Sequence, residues 1–367
     1  MNVALRIAAA ALGLFLIGWA VGSAVKTVIL PRAAASYLVR GSFVLVRKVF
    51  STIVPRSASF ERKDRILALY TPLSLLVTLG AWLVFTLLGF MCVFRAVEDS
   101  GWRDAFDLAG SSLLTLGISR PDTLLGTALA FTDAAIGLML LALLITYLPT
   151  IYGAFQRREN LVTALEVRAG SPPSGVELLE RYWLLERMDA LEEVWVEWER
   201  WFTDVEETHT SLPALVFLRS PEPDHSWVTS AGAVLDGASL LTGAVDTLRE
   251  VRAEICIRAG YLCLHRITDF FGIPHDPKPK PDDPIHVSRE EFDAACARLS
   301  AAGVPIKADR DQAWRDFAGW RVNYDSTLLA LANLTTAPVA PWSSDRSGER
   351  TMVPRLFRRI APTRDHH

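Results

Sequence analysis

Cysteine is scarce in this sequence, and the short motifs of the common enzyme classes are missing from it. The 367 residues include four cysteines with no pair at C-x-x-C spacing, so the sequence predicts neither a zinc site nor a disulfide framework. It contains no glycine-rich phosphate loop, no G-x-S-x-G turn and no cysteine–histidine signature, which argues against the enzymes that use them. No basic tract is interleaved with aromatic residues, so we expect no nucleic-acid partner.

Apolar residues are abundant, in contrast. They make up 50% of the chain, and the mean hydropathy is +0.23. Three long apolar runs extend over Ile7 to Val25, Ile66 to Phe94 and Leu124 to Phe155. Because about 20 apolar residues are enough to cross a bilayer, these runs predict three transmembrane helices. The first run also fits a cleaved signal peptide, since it follows a basic residue and ends near the letters VGSA.

Charged residues are distributed unevenly around the runs. Eight lysines and arginines lie between Arg32 and Arg65, whereas Glu98 to Asp122 holds five acidic and two basic residues. Short loops rich in lysine and arginine stay in the cytoplasm. We therefore predict a multi-pass protein of a bacterial cell inner membrane, with the N-terminus outside and the C-terminal domain cytoplasmic. A cleaved first run would invert this orientation.

The stretch SSLLTLGISRPD, residues 111–122, lies between the second and third runs. It overlaps a helix-compatible segment, Trp102 to Leu114, that is too short to cross a bilayer. Non-helical backbone at membrane depth is tolerated only where it is buried in protein or lines a cavity. The segment predicts either a re-entrant helix with a pore loop or a plain hairpin loop, and its position between two spans favours the first.

The order of span, short helix, T-x-G-x-S, P-D and a span with a mid-helix glycine resembles the pore module of bacterial potassium channels, over about residues 66–158. The resemblance implies a filter whose backbone carbonyls replace the water shell of the ion. It also implies a homotetramer, because one chain supplies one loop, with a monovalent permeant ion such as K+ and no cofactor. The implied filter residues are Thr115, Leu116, Gly117, Ile118 and Ser119.

The sequence departs from that family at the filter and at its outer mouth. Ile118 stands where an aromatic residue is usual, and Ser119 stands at a glycine, where a positive φ would strain it. Arg120 and Asp122 lie at the implied outer mouth. A ring of arginines there favours anions, and the acidic residue offsets the ring. These departures leave the choice between cation and anion open.

The third run carries three further candidate residues. Asp133 is predicted to support the pore by pairing with the short-helix backbone, Ser111 or Ser112, because an ionisable residue in a span usually faces protein or water. Gly137 occupies the place of an inner-helix hinge, and it is equally compatible with a helix-packing contact. Pro149 predicts a kink lower in the same helix.

The predicted fold class is a mostly α membrane protein with three transmembrane helices, a re-entrant pore helix and loop, and an α-helical cytosolic domain. Residues 36–55 predict an amphipathic helix on the inner membrane surface or an ordinary linker helix. Five segments follow: 1–32 as an N-terminal transmembrane helix, 33–63 as a basic interfacial helix or linker, 64–158 as the two-span pore module, 159–345 as the cytosolic domain, and 346–367 as a disordered tail.

Helical periodicity dominates the C-terminal half. It predicts a helix break near Met188 to Ala190, a capping box at Ser288 and Glu291, and a last helix from Asp309 to Leu334. The letters LPALVFL, residues 212–218, are the one candidate strand.

Two pairs in this half have spacings that suit metal ligands on a helix, namely Glu206 with His209 and His265 with Asp269. A di-iron site needs a second Glu-x-x-His, which the sequence does not offer, so we expect ordinary polar residues and no metal.

Three functions remain in competition at this point. The first is a tetrameric ion channel that the cytosolic domain gates or assembles. The second is a non-conducting membrane scaffold that anchors and oligomerises a helical domain with an unknown ligand or protein partner, which Ser119 and Arg120 favour. The third is an enzyme on the cytosolic side, which the motif survey disfavours, so the expectation is a non-enzyme.

Overall fold

The computed structural model describes residues 2–30, 36–53, 60–98 and 101–346. These residues form helices and contain no β-strand, only an isolated bridge between Val245 and Ile306. The prediction of a mostly α fold is therefore confirmed. The predicted tail, 346–367, lies outside the described residues except for residue 346.

The described residues form thirteen α-helices. They are α1 (Val3–Val28), α2 (Tyr37–Ile53), α3 (Phe60–Ala68), α4 (Tyr70–Val97), α5 (Trp102–Leu113), α6 (Leu124–Ala169), α7 (Gly175–Leu184), α8 (Leu191–Ser211), α9 (Trp227–Gly243), α10 (Val251–Phe270), α11 (Arg289–Ala301), α12 (Arg310–Arg321) and α13 (Asp325–Thr335). Short 3₁₀ turns span Met188–Ala190, Pro213–Phe217 and Ser344–Arg346.

The chain divides into two compact units. The membrane unit comprises Met1–Val49 and Leu69–Tyr152, and the C-terminal unit comprises Phe50–Ala68 and Gly153–His367. The divisions therefore fall at other places than the predicted boundaries at 63/64 and 158/159. The segment predicted as 33–63 is shared between the two units.

Three helical stretches are long and apolar enough to cross a membrane, and they correspond to the three apolar runs. They are Val3–Val28, Arg62–Val97 and Leu124–Ala169. The second contains a break at Leu69, because Pro72 has no N–H to donate to the Ala68 carbonyl and its ring crowds that carbonyl. The third is longer than the apolar run that predicted it, since the residues after Phe155 are good helix formers and α6 continues through Pro149 to Ala169.

Helices α1 and α4 cross closely in the membrane unit. A Cβ on Gly13 would meet the backbone of Gly89, and a Cβ on Gly89 would lie 2.9 Å from the Gly13 carbonyl oxygen. Small residues that let two backbones touch are typical of helix pairs in membranes. Further along α1, the Trp82 indole donates a hydrogen bond of 2.9 Å to the Ser23 hydroxyl. Helix α1 is therefore an integral part of this unit.

Helix α9 forms the centre of the C-terminal unit. Almost all of its residues are buried, and α7, α10, α12 and α13 pack around it. A helix that is apolar on every side needs such an enclosed position. Gly175 and Gly260 allow α7 and α10 to approach it, because a Cβ at either glycine would collide with α9 atoms.

Two details of the sequence prediction for this unit are wrong. Residues 213–217 form a 3₁₀ turn and no strand, because the Leu215 and Leu218 carbonyls are bound by a buried arginine, Arg158. The predicted last helix is two helices, α12 and α13, separated at residues 322–324. The predicted break near Met188 to Ala190 and the capping box at Ser288 are present.

Candidate functional site

Helix α5 and the loop after it form the candidate site in the membrane unit. The helix begins at Gly101, whose N–H donates to the Asp104 carboxylate at 2.9 Å. Its apolar face packs into a buried cluster with α4 and α6, and the cluster contains Phe90, Phe94, Ala105, Leu108 and Ala109. One face of the short helix is therefore packed against its neighbours, while Trp102 and Phe106 elsewhere on the helix are exposed.

The C-terminal end of α5 contacts α6 at Gly137. A Cβ on Gly137 would collide with the Leu113 carbonyl oxygen, so this glycine is required for packing. Gly137 lies 13 residues after Leu124, the first residue of α6 (137 − 124). At a rise of about 1.5 Å per residue, the contact is roughly 20 Å along the helix. The loop from residue 114 to residue 123 returns over that length to the start of α6.

The loop is anchored to α5 through Ser111. The Ser119 N–H donates to the Ser111 hydroxyl at 3.0 Å, and that hydroxyl donates to the Ser119 carbonyl at 3.3 Å. The Leu116 N–H donates to the Ser111 carbonyl at 2.8 Å. A single residue of the helix therefore holds the stretch from Thr115 to Ser119 at two places, Leu116 and Ser119.

The strained position of the loop differs from the expected one. Positive φ values occur at Thr115 (54°) and Gly117 (68°) and not at Ser119. Glycine adopts this conformation at little cost, whereas a β-branched residue such as threonine pays for it. Serine is therefore tolerated at position 119, and the cost is carried by Thr115.

The filter-like stretch presents free carbonyl groups. Among the described residues, no hydrogen bond is donated to the carbonyls of Thr115, Leu116, Gly117 or Ile118. The apolar side chains at this place are uncovered, since Leu116 is 58% exposed and Ile118 is 77% exposed. An open groove of about 370 Å³ lies between the loop and the first turns of α6. Four successive free carbonyls can take the place of water around a cation.

The outer end of the loop is held by Glu98, which sequence analysis missed as a site residue. The buried Glu98 carboxylate accepts a hydrogen bond of 2.6 Å from the Thr123 hydroxyl, and that hydroxyl also accepts from the Gly126 N–H at 3.0 Å. A Cβ on Gly126 would collide with Glu98. The sequence did contain one indication of this contact. Thr123 stands three residues before Gly126 at the start of α6, and threonine is a common N-cap residue. Arg120 and Asp122, the predicted mouth residues, are exposed beside this contact.

Asp133 does not have the partners predicted for it. Its side chain is 0% exposed, and neither carboxylate oxygen has a hydrogen-bond partner. Ser111, the predicted partner, bonds to Ser119 instead. The Thr86 hydroxyl of α4 is also buried without a partner. The membrane unit thus contains an ionisable group that nothing in the described chain compensates.

In the C-terminal unit, by contrast, the buried charge of Arg158 has several hydrogen-bond partners. The guanidinium of Arg158 is 1% exposed and donates to Glu159 at 2.8 Å, to the Leu215 carbonyl at 2.8 Å and to the Leu218 carbonyl at 2.7 Å. It also lies 3.2 Å from Nε2 of the buried His209. Burial, and then the Arg158 charge, holds the pKa of His209 well below its ordinary value.

A second buried arginine lies against α9. Arg321 is 0% exposed and pairs with Asp236, with Asp325 at 3.0 Å and with the Trp342 carbonyl at 2.5 Å. The Tyr324 hydroxyl donates to Asp236 at 2.8 Å. Burial raises the pKa of Asp325, but the Arg321 charge and the hydrogen bonds from His286 and Arg321 outweigh burial and lower the pKa below its ordinary value.

The two predicted metal-ligand pairs are not assembled as pairs. Glu206 forms an ion pair with Arg266, and His209 belongs to the Arg158 cluster. His265 bonds to the Asn323 carbonyl at 2.8 Å. In the part of the chain that the structure describes, no three histidine, cysteine or acidic side chains stand together as a preformed metal site.

Comparison with protein-family models, with curated proteins and with solved structures gives no match for this chain.

Proposed function

We propose that this chain is the subunit of a homotetrameric ion-conducting pore in a cell inner membrane, with residues Thr115 to Ser119 as the selectivity filter. The observation that carries the proposal is the run of four free carbonyls on a loop that Ser111 fixes to a half-buried short helix. Carbonyl rings from four chains form a filter that substitutes for hydration.

The depth of the loop supports a re-entrant arrangement. The end of α5 meets α6 about 20 Å from the start of that helix, and the hydrocarbon core of a bilayer is about 30 Å thick. Irregular backbone at that depth is expected only where it lines a cavity or is covered by protein. The exposed Leu116 and Ile118 fit the same proposal, because neighbouring copies would cover them.

The C-terminal unit is proposed to gate or assemble the pore from the cytoplasm. Helix α6 is one continuous helix from Leu124 to Ala169, and the division between the two units falls within it at Tyr152/Gly153. A helix shared in this way can pass a change in the C-terminal unit to the lining of the pore. The orientation, with the N-terminus outside, follows from the basic segment between Arg32 and Arg65.

K+ is the first candidate for the permeant ion, and the charge at Arg120 makes chloride the second. Recording the purified full-length protein in planar bilayers under a potassium, sodium and chloride gradient separates them. A reversal potential that follows K+ supports the carbonyl filter. A reversal potential that follows chloride makes the Arg120 ring the selective element and overturns the filter assignment.

Gly117 provides the matched test of the filter. Gly117→Ala places a side chain at a φ of 68°, whereas Gly80→Ala adds a methyl group to open space on α4. We expect Gly117→Ala to abolish or alter the unitary current and Gly80→Ala to leave it unchanged. Equal currents in both variants would remove the loop from the conduction path.

A non-conducting scaffold remains the second candidate, and the exposed Arg120 on the loop favours it. It predicts a tetramer that stays silent at every voltage and pH, both as the full chain and after truncation at Arg158. Under this alternative, Gly117→Ala leaves the oligomer intact.

A further inference from the structure

An open groove of about 350 Å³ lies in the C-terminal unit beside α12. Its lining comes from three parts of the chain, namely the C-terminal half of α12, Thr242 near the end of α9, and Pro281 in the connection between α10 and α11. Small-molecule pockets in proteins have volumes of about 300–1,000 Å³. The groove is therefore large enough for a small organic molecule, and none of its lining residues belongs to the membrane unit.

Gly319 keeps the groove open on the side of α12. Glycine is unfavourable inside a helix relative to alanine. A Cβ on Gly319 would lie 3.6 Å from the Pro281 Cβ and 3.8 Å from the Pro281 carbonyl oxygen. Those are ordinary contact distances, so alanine fits at this position, whereas a larger side chain would have to occupy the groove or displace Pro281. The glycine is thus not required by helix packing, and it leaves space for a ligand.

Trp320 and Pro281 give the groove an apolar surface. Trp320 is partly buried, and no described residue accepts a hydrogen bond from its indole N–H. An indole ring packs well against other aromatic rings, and its N–H usually finds a partner. Asn323 donates from its amide nitrogen to the Gly319 and Trp320 carbonyls at 3.0 Å each, which leaves its amide oxygen as an acceptor. A flat ring with a polar edge matches this lining.

The charge at the groove favours an anion. Arg315 lines it and is exposed, and both of its hydrogen bonds, of 3.2 and 2.7 Å, go to the neutral amide oxygen of Gln312. Lys307 donates to the Thr242 carbonyl at 3.0 Å and lies 3.6 Å from Asp316. Two cations thus stand against one carboxylate. A guanidinium fork that is not paired with a carboxylate is well suited to a carboxylate or phosphate group of a ligand.

We propose that this groove binds an organic anion with a flat aromatic ring, such as an aromatic carboxylate or a nucleoside monophosphate. The ring packs against Trp320 and Pro281, and the anionic group binds to Arg315. The guanidinium then exchanges its bonds to a neutral amide for charge-assisted ones, which are stronger. The amide oxygen of Asn323 accepts a hydrogen bond from the polar edge of the ring.

A ligand in this groove would contact both α12 and the connection between α10 and α11, because Gly319 and Pro281 face each other across it. It would therefore hold the connection against the helix and raise the stability of the C-terminal unit. This inference goes beyond the proposed pore, and its test gives the same answer whether or not the membrane unit conducts ions.

The test uses the full-length protein in detergent and three probes, indole-3-acetate, AMP and the uncharged adenosine. Binding is measured by calorimetry, and the melting temperature is recorded with and without each probe. We expect one molecule of an anionic probe per chain, a higher melting temperature, and about tenfold weaker binding of adenosine than of AMP. Binding of indole-3-acetate alone indicates a carboxylate ligand, and binding of AMP alone indicates a phosphate. The proposal is overturned if neither anion binds, or if adenosine binds as well as AMP.

Arg315→Gln removes the charge at an exposed site and should leave the fold intact. We expect it to weaken binding of the anionic probe about tenfold and to leave adenosine unaffected, with Arg187→Gln, at another exposed arginine, as the unaffected control.

A series at Gly319 tests the groove itself. The loss of affinity should be small in Gly319→Ala and large in Gly319→Leu, because only the leucine side chain fills the space beside Pro281. Unchanged affinity in both Arg315→Gln and Gly319→Leu would place the bound probe elsewhere and overturn the assignment. If Gly319→Leu does not fold, Arg315→Gln alone decides.

Discussion

The membrane unit and the C-terminal unit differ in how they bury polar groups. Arg321 of the C-terminal unit has two carboxylates and a carbonyl around it, whereas Asp133 of the membrane unit has no partner for either oxygen. A buried charge is expensive unless it is paired and hydrogen-bonded. The partners of Arg321 offset that cost, whereas Asp133 has no partner that does so.

This difference separates structural charges from candidate functional ones. A compensated network such as that of Arg321 fixes the arrangement of α9, α12 and α13 and needs no other purpose. An uncompensated ionisable group inside a span is rare and usually marks an ion or proton path. Asp133 is of the second kind, and it belongs to the same unit as the free carbonyls of Thr115 to Ile118.

The largest effect on the free energy of unfolding is expected from Asp236→Asn. The substitution keeps the size of the side chain but removes the main charge paired with Arg321. Breaking a buried ion pair from one side costs about 3–5 kcal/mol. We expect a loss of that size in the free energy of unfolding, measured as a fall in melting temperature in detergent. Asp189→Asn, at an exposed site, serves as the control, and equal stability of the two variants would contradict this account.

A smaller effect on stability is expected from pH, because His209 is buried in the folded protein. The folded protein keeps this ring neutral, because burial and Arg158 lower its pKa, while the unfolded chain takes up a proton below about 6.5. The unfolded state then binds more protons, so stability falls as pH falls below 6.5, by up to about 1.4 kcal/mol per pH unit. His265 contributes in the same direction.

His209→Gln should remove part of that slope. The measurement compares the melting temperatures of this variant and of the original protein between pH 7.5 and pH 5. If His209→Gln keeps the slope of the original protein, the buried His209 is not its source.

The smallest change in stability, with the opposite sign, is expected from Asp133→Asn. This is the same substitution as in Asp236→Asn, but no partner is lost. We expect the free energy of unfolding to stay unchanged or to rise by up to about 1 kcal/mol. If the carboxylate serves the pore, the unitary current should change although stability does not. A destabilisation as large as that of Asp236→Asn would show that Asp133 is paired after all.

The helices of this fold were predictable because their signal is local. The helix-compatible letters from Trp102 to Leu114 located α5, and the helical periodicity of the C-terminal half with its break near Met188 was visible in the sequence. The break between α12 and α13 was not, since it contains neither glycine nor proline. Its position depends on Tyr324, whose hydroxyl reaches Asp236 on another helix.

The candidate site was predictable only in part, for the same reason. The motif identified Thr115 to Ser119, but it could not show that Ser111 would bond to Ser119 rather than to Asp133. The positive φ at Thr115 also escaped sequence analysis, because family resemblance placed the strain at Ser119.

The ion pair between Asp64 and Arg219 has a consequence for the synthesis of this protein and for the choice of soluble fragments. The two residues are 155 positions apart, and Arg219 also donates to the Thr335 carbonyl. During synthesis, the segment with Asp64 leaves the ribosome long before Arg219 does, so the ion pair forms only after Arg219 has been made. A fragment beginning at residue 159 would lack both Asp64 and Arg158, which leaves Arg219 and His209 without their buried partners. A soluble version of the C-terminal unit should therefore begin before Arg158 and be supplied with residues 50–68, by co-expression or by fusion.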